Sequence, residues 1–259
     1  MTELQNRLLA KLRATRYSFG IWLVFSVLVA AASYYFYPEY HFLTDGGWQG
    51  WRLVCAIDFI MGPVLFFIVF WPGKPKNWLL LDIVILVSVQ FIAMGWGLYK
   101  VLGQRPVADS YTMTGFQSLT IAPYERAGMP VQWMQRLSSR QVPMVYVRHP
   151  TLAEVPDLMH QISNGIPAAA QWKYLEPINA ADSILNDSRY QNRFQGWLQS
   201  TSGQNIWQQW QKQHSGASLT SWRYALFIGR YRHAVLFFDP QSHYCGYVLL
   251  PADATLPVI

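Results

Sequence analysis

The sequence predicts a three-helix transmembrane anchor followed by an α+β domain with a mostly antiparallel sheet. Three observations carry that expectation. Only 13% of the 259 residues are charged, against about 25% in an ordinary soluble domain. The long apolar runs crowd into residues 1–104. Residues 105–259 change to short alternating and aromatic-rich stretches, the grain of one globular domain of ordinary size.

The first span, Tyr17 to Tyr37, holds no charged residue. Its 21 residues make about 31 Å of helix, enough for a hydrocarbon core of about 30 Å. The second span, Leu53 to Trp71, is interrupted only by Asp58, and the third, Asn77 to Tyr99, only by Asp82. A lone central aspartate costs about 2.5–3.5 kcal/mol on insertion scales, which a span can bear. "VAAAS" at 29–33 offers the small residues of a signal-peptide cleavage site. The apolar run continues past it into "YYFY" (34–37), which reads better as an aromatic belt at the far interface. Ahead of the span, Leu4, Leu8 and Leu12 share a helical face beside basic residues, an amphipathic N-terminus. It suits a short helix on the membrane surface or an extension of the span itself.

Orientation follows from Lys and Arg placement. Arg7, Lys11, Arg13 and Arg16 precede the first span, and Lys74 and Lys76 lie in the loop after the second. The loop between the first two spans carries only Arg52, with Glu39 and Asp45. The N-terminus is therefore expected in the cytoplasm and residues 105–259 on the opposite side, which in a bacterium is the periplasm.

The two aspartates sit about 8 Å inside opposite edges of their spans. In an antiparallel hairpin they are about 14 Å apart along the membrane normal, too far to share a proton as a carboxylate dyad does. Each needs a partner of its own. Pro63 has no N–H for the carbonyl of Phe59, and Gly62 beside it favours a bend, leaving polar backbone near Asp58; Arg52 is a second candidate. Lys74 or Lys76 can neutralise Asp82. Tying the helices together is the plainer role for both; contact with another helix is the alternative. Gln90, Gly95 and Gly97 add a polar group and small residues that let helices approach closely.

In the second half, 106–114, 116–121 and 141–149 read as short strands, with Gly115 between the first two. "RYALFIG", "HAVLFFD" and "YCGYVLL", separated by "RYR" and "PQSH", predict a three-strand meander. Helices are expected over 180–187, capped by Asn179, and over 205–216, stopped near Gly216. Trp207 and Trp210 share a face of the latter. Core packing is the default for such spacing, an exposed aromatic surface for a partner the alternative.

Reaction chemistry is not expected. Nucleophile-elbow, phosphate-loop, dinucleotide and zincin patterns are missing from the sequence. Cys55 and Cys245 fall in different phases, so no disulfide is expected. The six histidines are scattered and suit surface or satisfied core positions, without metal-ligand spacing. The pI of about 9.3 comes with no Lys/Arg block, which argues against nucleic acid. No enzyme, cofactor or metal is expected.

The stretch 58–107, "DFIMGPVLFFIVFWPGKPKNWLLLDIVILVSVQFIAMGWGLYKVLGQRPV", resembles the type IV pilin accessory proteins. These are inner-membrane chaperones of a cognate type IVa pilin. The resemblance rests on Asp58, Gly62-Pro63, Lys74 and Lys76, Asp82, Gln90, Trp96-Gly97 and Arg105-Pro106; Trp96 stands where Tyr is more usual. It is thinner but visible in 171–185 and 223–251. It implies a pilin client, and beyond it the pilus assembly machinery, in pilus biogenesis and twitching motility. The bilayer and that pilin are then the expected partners, with Asp58, Gly62, Pro63, Asp82, Gln90, Gly95, Gly97, Arg105, Pro106, Trp207 and Trp210 as candidate client-binding or helix-packing residues. A rival expectation is a periplasmic small-ligand sensor on a three-helix anchor, which would need a deep apolar pocket. An intramembrane enzyme or transporter is disfavoured by the separation of the aspartates.

Overall fold

The computed structural model describes residues 3–71, 73–112, 115–130, 132–133, 142–178, 184–216, 218–252, 254 and 256. They fall into two units. Met1–Phe36 and Gly47–Gln104 form one, and Tyr37–Gly46 joins Arg105–Ile259 in the other. The main break thus follows residue 104, but the connection between the first two apolar helices belongs with the C-terminal half.

In the first unit a continuous helix runs Glu3–Phe36, so the N-terminal leucines extend the first helix. The second comprises Gly47–Phe59, a π segment Ile60–Val64 and Leu65–Val69; the third is Lys76–Gly103. All three are long and apolar enough to cross a membrane, over Lys11–Phe36, Gly47–Val69 and Lys76–Gly103. The π segment contains Gly62 and Pro63. Proline removes a donor and crowds the preceding turn, and a widened turn accommodates it without ending the helix.

Indole donors fasten the first helix to the second. Trp22 Nε1 donates to the Cys55 carbonyl at 3.1 Å, and Trp51 Nε1 to that of Ser26 at 3.0 Å. The second and third helices run antiparallel, with glycines at close approaches. A Cβ on Gly50 would lie 2.9 Å from Val101 Cγ2, and one on Gly97 3.2 Å from Val54 Cγ2. Leu23, Ile57, Leu80 and Ile92 point outward, as apolar side chains do against lipid.

The second unit is built on a seven-stranded mixed sheet. Its strands are β1 (Ala108–Thr112), β2 (Gly115–Leu119), β3 (Met144–Val147), β4 (Leu175–Pro177), β5 (Arg223–Ile228), β6 (His233–Phe238) and β7 (Tyr244–Leu249). The order is β4-β3-β1-β2-β5-β6-β7. Pairs β1–β2, β3–β4, β5–β6 and β6–β7 are antiparallel, while β1–β3 and β2–β5 are parallel. Both parallel pairs join strands far apart in sequence, with connections long enough for the crossover that parallel strands need. The expected meander is β5–β7; β4, three residues long, carries too little pattern to be read from sequence. Gly115 opens β2 rather than lying between strands. Its φ is +147°, and a Cβ there would sit 2.6 Å from the Leu226 carbonyl oxygen, so glycine is required.

Two helices, Ser188–Gln199 and Thr201–Gln213, cover one face of the sheet. Asp187 caps the first, its carboxylate accepting from the N–H groups of Arg189 and Tyr190. The expected helix over 180–187 is replaced at its end by a 3-10 turn, Ile184–Asn186; Asn179, its expected cap, lies outside the described residues. Tyr190, Phe194, Leu198, Ile206 and Trp210 turn into the core. Gln191 stands in for a neighbouring strand. Its Nε2 donates to the Tyr224 carbonyl at 3.0 Å and its Oε1 accepts from the Tyr224 N–H at 2.9 Å.

Candidate functional site

Two polar constellations, one in each unit, draw the chemistry-bearing residues together. In the apolar helices, Asp58 is buried and shares a side-chain hydrogen bond with Gln90 of the third helix. Gly62 makes that possible. A Cβ at Gly62 would meet Gln90 Nε2 at 2.9 Å, so the amide lies against bare backbone within the π segment. Three residues singled out by sequence, Asp58, Gly62 and Gln90, thereby meet, and Pro63 shares the π segment with Gly62. The partner of Asp58 is neither the freed backbone nor Arg52, whose guanidinium lies over the Trp48 ring at 5.9 Å.

Asp82 forms its ion pair with Lys74. Gln90 is eight residues further along the third helix, about 12 Å of rise, so the two aspartates have separate partners at separate levels. The glycines divide as well. Gly62 and Gly97 are filled by Gln90 and Val54, whereas Gly95 has nothing within 4 Å. On the third helix Ser88, Ile92, Gly95 and Tyr99 are all exposed, and their spacing of four, three and four puts them on one face.

The remaining candidates lie in the second unit. Arg105 is half-buried and Pro106 buried, just before β1. Trp207 and Trp210 are core residues: Trp210 stacks on Phe237 at 4.0 Å and Trp207 meets Tyr224 edge-on. The alternative of an exposed aromatic surface is thereby corrected. Apolar positions three apart on an amphipathic helix were drawn in by the sheet beneath them.

The second constellation escaped the sequence reading. Residues 37–46 bring a short helix, His41–Thr44, over the sheet face opposite the two long helices. Tyr40 meets Phe227 at 4.7 Å and Tyr247 at 5.4 Å. Gly229 permits the approach, since a Cβ there would fall 2.6 Å from Thr44 Cβ. The Tyr231 N–H donates to the Thr44 carbonyl at 2.9 Å.

At the centre His41 is held from both sides. Nδ1 lies 2.7 Å from Asp45 Oδ2 and Nε2 lies 3.2 Å from Asp109 Oδ2. The Tyr40 hydroxyl donates to Asp109. Ser118 Oγ reaches Asp109 Oδ1 at 2.8 Å and Asp45 Oδ2 at 3.0 Å. His41 is 1% and Asp109 0% exposed. Burial works against a charged imidazole, but Asp109 and Asp45 outweigh it and hold His41 up at about 9. Burial, then the charge of Asp109, pushes the Tyr40 hydroxyl well above its ordinary value, so it remains a donor. With both ring nitrogens engaged by carboxylates, His41 has no lone pair to activate Ser118. The arrangement is a fastening between the 37–46 segment and β1–β2. The sequence signal was His41 and Asp45 spaced i, i+4, with an acid inside the expected strand 106–114.

Both cysteines are free, and no cluster of His, Cys, Asp or Glu able to hold a metal occurs among the described residues. No known family model, curated protein or solved structure matches the chain.

Proposed function

We propose that this chain is a membrane-anchored chaperone that binds a cognate type IV pilin in the bacterial inner membrane and supports its stability and its assembly into pili. The resemblance over 58–107 motivates the pilin. The observation that carries a helix-binding role is the open face of the third helix. Gly95 is exposed with no atom within 4 Å of a Cβ position, while the other two candidate glycines are occupied. A client's apolar helix could lay its backbone close against Gly95, flanked by Ser88, Ile92 and Tyr99. Asp58 is engaged by Gln90 and Asp82 by Lys74, which favours structural over client-binding roles for both.

The proposed orientation places the N-terminus in the cytoplasm and residues 37–46 and 105–259 in the periplasm. In its support, 37–46 and 105–259 fold into one unit, which requires them to share one side of any bilayer the helices cross. Lys11, over the rings of Phe67 and Trp71 at 5.6 and 4.8 Å, and Lys74 are together at the other end, as the positive-inside rule asks.

The test is co-purification with the pilin from mild detergent. Wild type should recover the pilin, and Gly95→Leu should lower recovery about tenfold or more, the equivalent of about 1.4 kcal/mol. Failure of the wild-type protein to recover pilin would defeat the chaperone reading. Equal recovery with Gly95→Leu would move the contact elsewhere.

A further inference from the structure

The second and third helices part company between the Gly62–Gln90 contact and the Lys74–Asp82 ion pair. A cleft of about 230 Å³ opens there. Met61, Leu65 and Val69 form one wall, Ile85, Leu86 and Val89 the other, and Asp82 closes one end. The walls follow from helical spacing, i, i+4, i+8 on the second helix and i, i+3, i+4, i+7 from Asp82 on the third.

Size decides what can enter. Asp82 to Val89 spans about 10 Å of rise, so the 230 Å³ open to the centre of a water-sized sphere makes, with that sphere's radius added on each side, a groove about 8 Å across. A helix with its side chains measures about 10–12 Å and cannot fit. One hydrocarbon chain can, because carbon atoms pack at about 3.5–4.0 Å.

Charge decides what that chain is attached to. The Lys74–Asp82 pair stands at one end of the cleft and is partly exposed. Lys76, exposed at the start of the third helix, adds a second cation. A headgroup with a phosphate and a primary ammonium complements both signs. A purely anionic headgroup draws Lys74 away from Asp82 and brings no cation to replace it, and a quaternary ammonium has no N–H to give it.

We propose that a phosphatidylethanolamine-type phospholipid seats one acyl chain in this cleft, with its phosphate at Lys74 and Lys76 and its ammonium at Asp82. The proposal rests on the reading of these helices as membrane spans and is independent of the pilin.

The test uses the full chain in bilayers of equal phosphatidylethanolamine, phosphatidylcholine and phosphatidylglycerol. After gentle extraction, retained lipid is identified by native mass spectrometry. One phosphatidylethanolamine should be retained about tenfold in preference to either competitor, the worth of one charge-assisted hydrogen bond. The nearly isosteric Asp82→Asn should erase the preference over phosphatidylcholine, and Leu86→Trp should fill the cleft and end retention. Retained lipid in the proportions of the bilayer overturns the proposal, as does an ethanolamine preference unchanged in Asp82→Asn. Failure to insert into bilayers overturns the spanning reading with it; insertion without selectivity overturns the lipid site alone.

Discussion

His41 Nε2 lies 3.2 Å from Asp109 Oδ2, although two entire apolar helices separate these residues in sequence. The contact brings the connection between the first and second helices into the C-terminal sheet. The covalent chain therefore passes between the two units three times, at 36/37, 46/47 and 104/105.

Removing the imidazole should be costly. His41→Leu leaves the buried Asp109 and the half-buried Asp45 without their shared cation, and breaking a buried pair costs about 3–5 kcal/mol. Thermal unfolding followed by near-ultraviolet circular dichroism should show a markedly lower midpoint. An unchanged midpoint would mean that the cluster does not fasten the segment.

The same contact sets a pH dependence. Burial opposes the charge on His41, yet Asp109 and Asp45 hold it at about 9, above its ordinary 6.5. A raised folded-state value means that the protonated ring stabilises the fold. That contribution is complete below about 6.5 and is lost as pH rises through about 9. Melting midpoints measured from pH 6 to about 10 should fall in the alkaline half for wild type. The decline should be much shallower in His41→Leu, and parallel profiles would assign it to other groups.

A fragment of 105–259 alone should fold poorly. It lacks the helix His41–Thr44 and exposes Phe227, Tyr247 and Asp109, which that segment covers. Supplying 37–46 through a flexible linker should restore dispersed amide resonances. A well-dispersed spectrum from 105–259 by itself would contradict this.

Between the apolar helices, Gln90→Leu should leave the Asp58 carboxyl without its amide partner, and Gly62→Leu should push that amide away. Side-chain hydrogen bonds between membrane helices are worth about 0.6–2 kcal/mol, so each variant should lose stability on that order in a detergent unfolding titration. The double variant should lose less than the sum, because both changes remove one contact. Full additivity would mean that Gly62 and Gln90 act separately.

Much of the architecture was legible from one-dimensional pattern. The β5–β7 meander showed as three aromatic and β-branched runs parted by turn residues, and the helix at Thr201–Gln213 as Trp207 and Trp210 on one face. Asp58, Gly62, Pro63 and Gln90 were each marked by being polar or helix-breaking where apolar helix formers belong. The meeting of Asp58 and Gly62 with Gln90 was not readable, because the rotation of one helix against another depends on side chains that interdigitate. β4 and the parallel pairings of β1 with β3 and β2 with β5 were likewise hidden, since a short strand has no period and a partner across a long connection leaves no local mark.

By itself, then, the amino-acid order determined which segments are apolar for the length of a bilayer, where polar chemistry interrupts them and where strands and turns alternate. These are properties of neighbours along the chain, governed by rise per residue and side-chain periodicity. Only the tertiary structure decided that Asp58 pairs with Gln90 and Asp82 with Lys74, that Gly95 stays open while Gly62 and Gly97 are filled, and that residues 37–46 close over the sheet. Those outcomes depend on which side chains meet in three dimensions, and a carboxylate as enclosed as Asp109 can be stable only where the fold delivers His41 and Tyr40 to it.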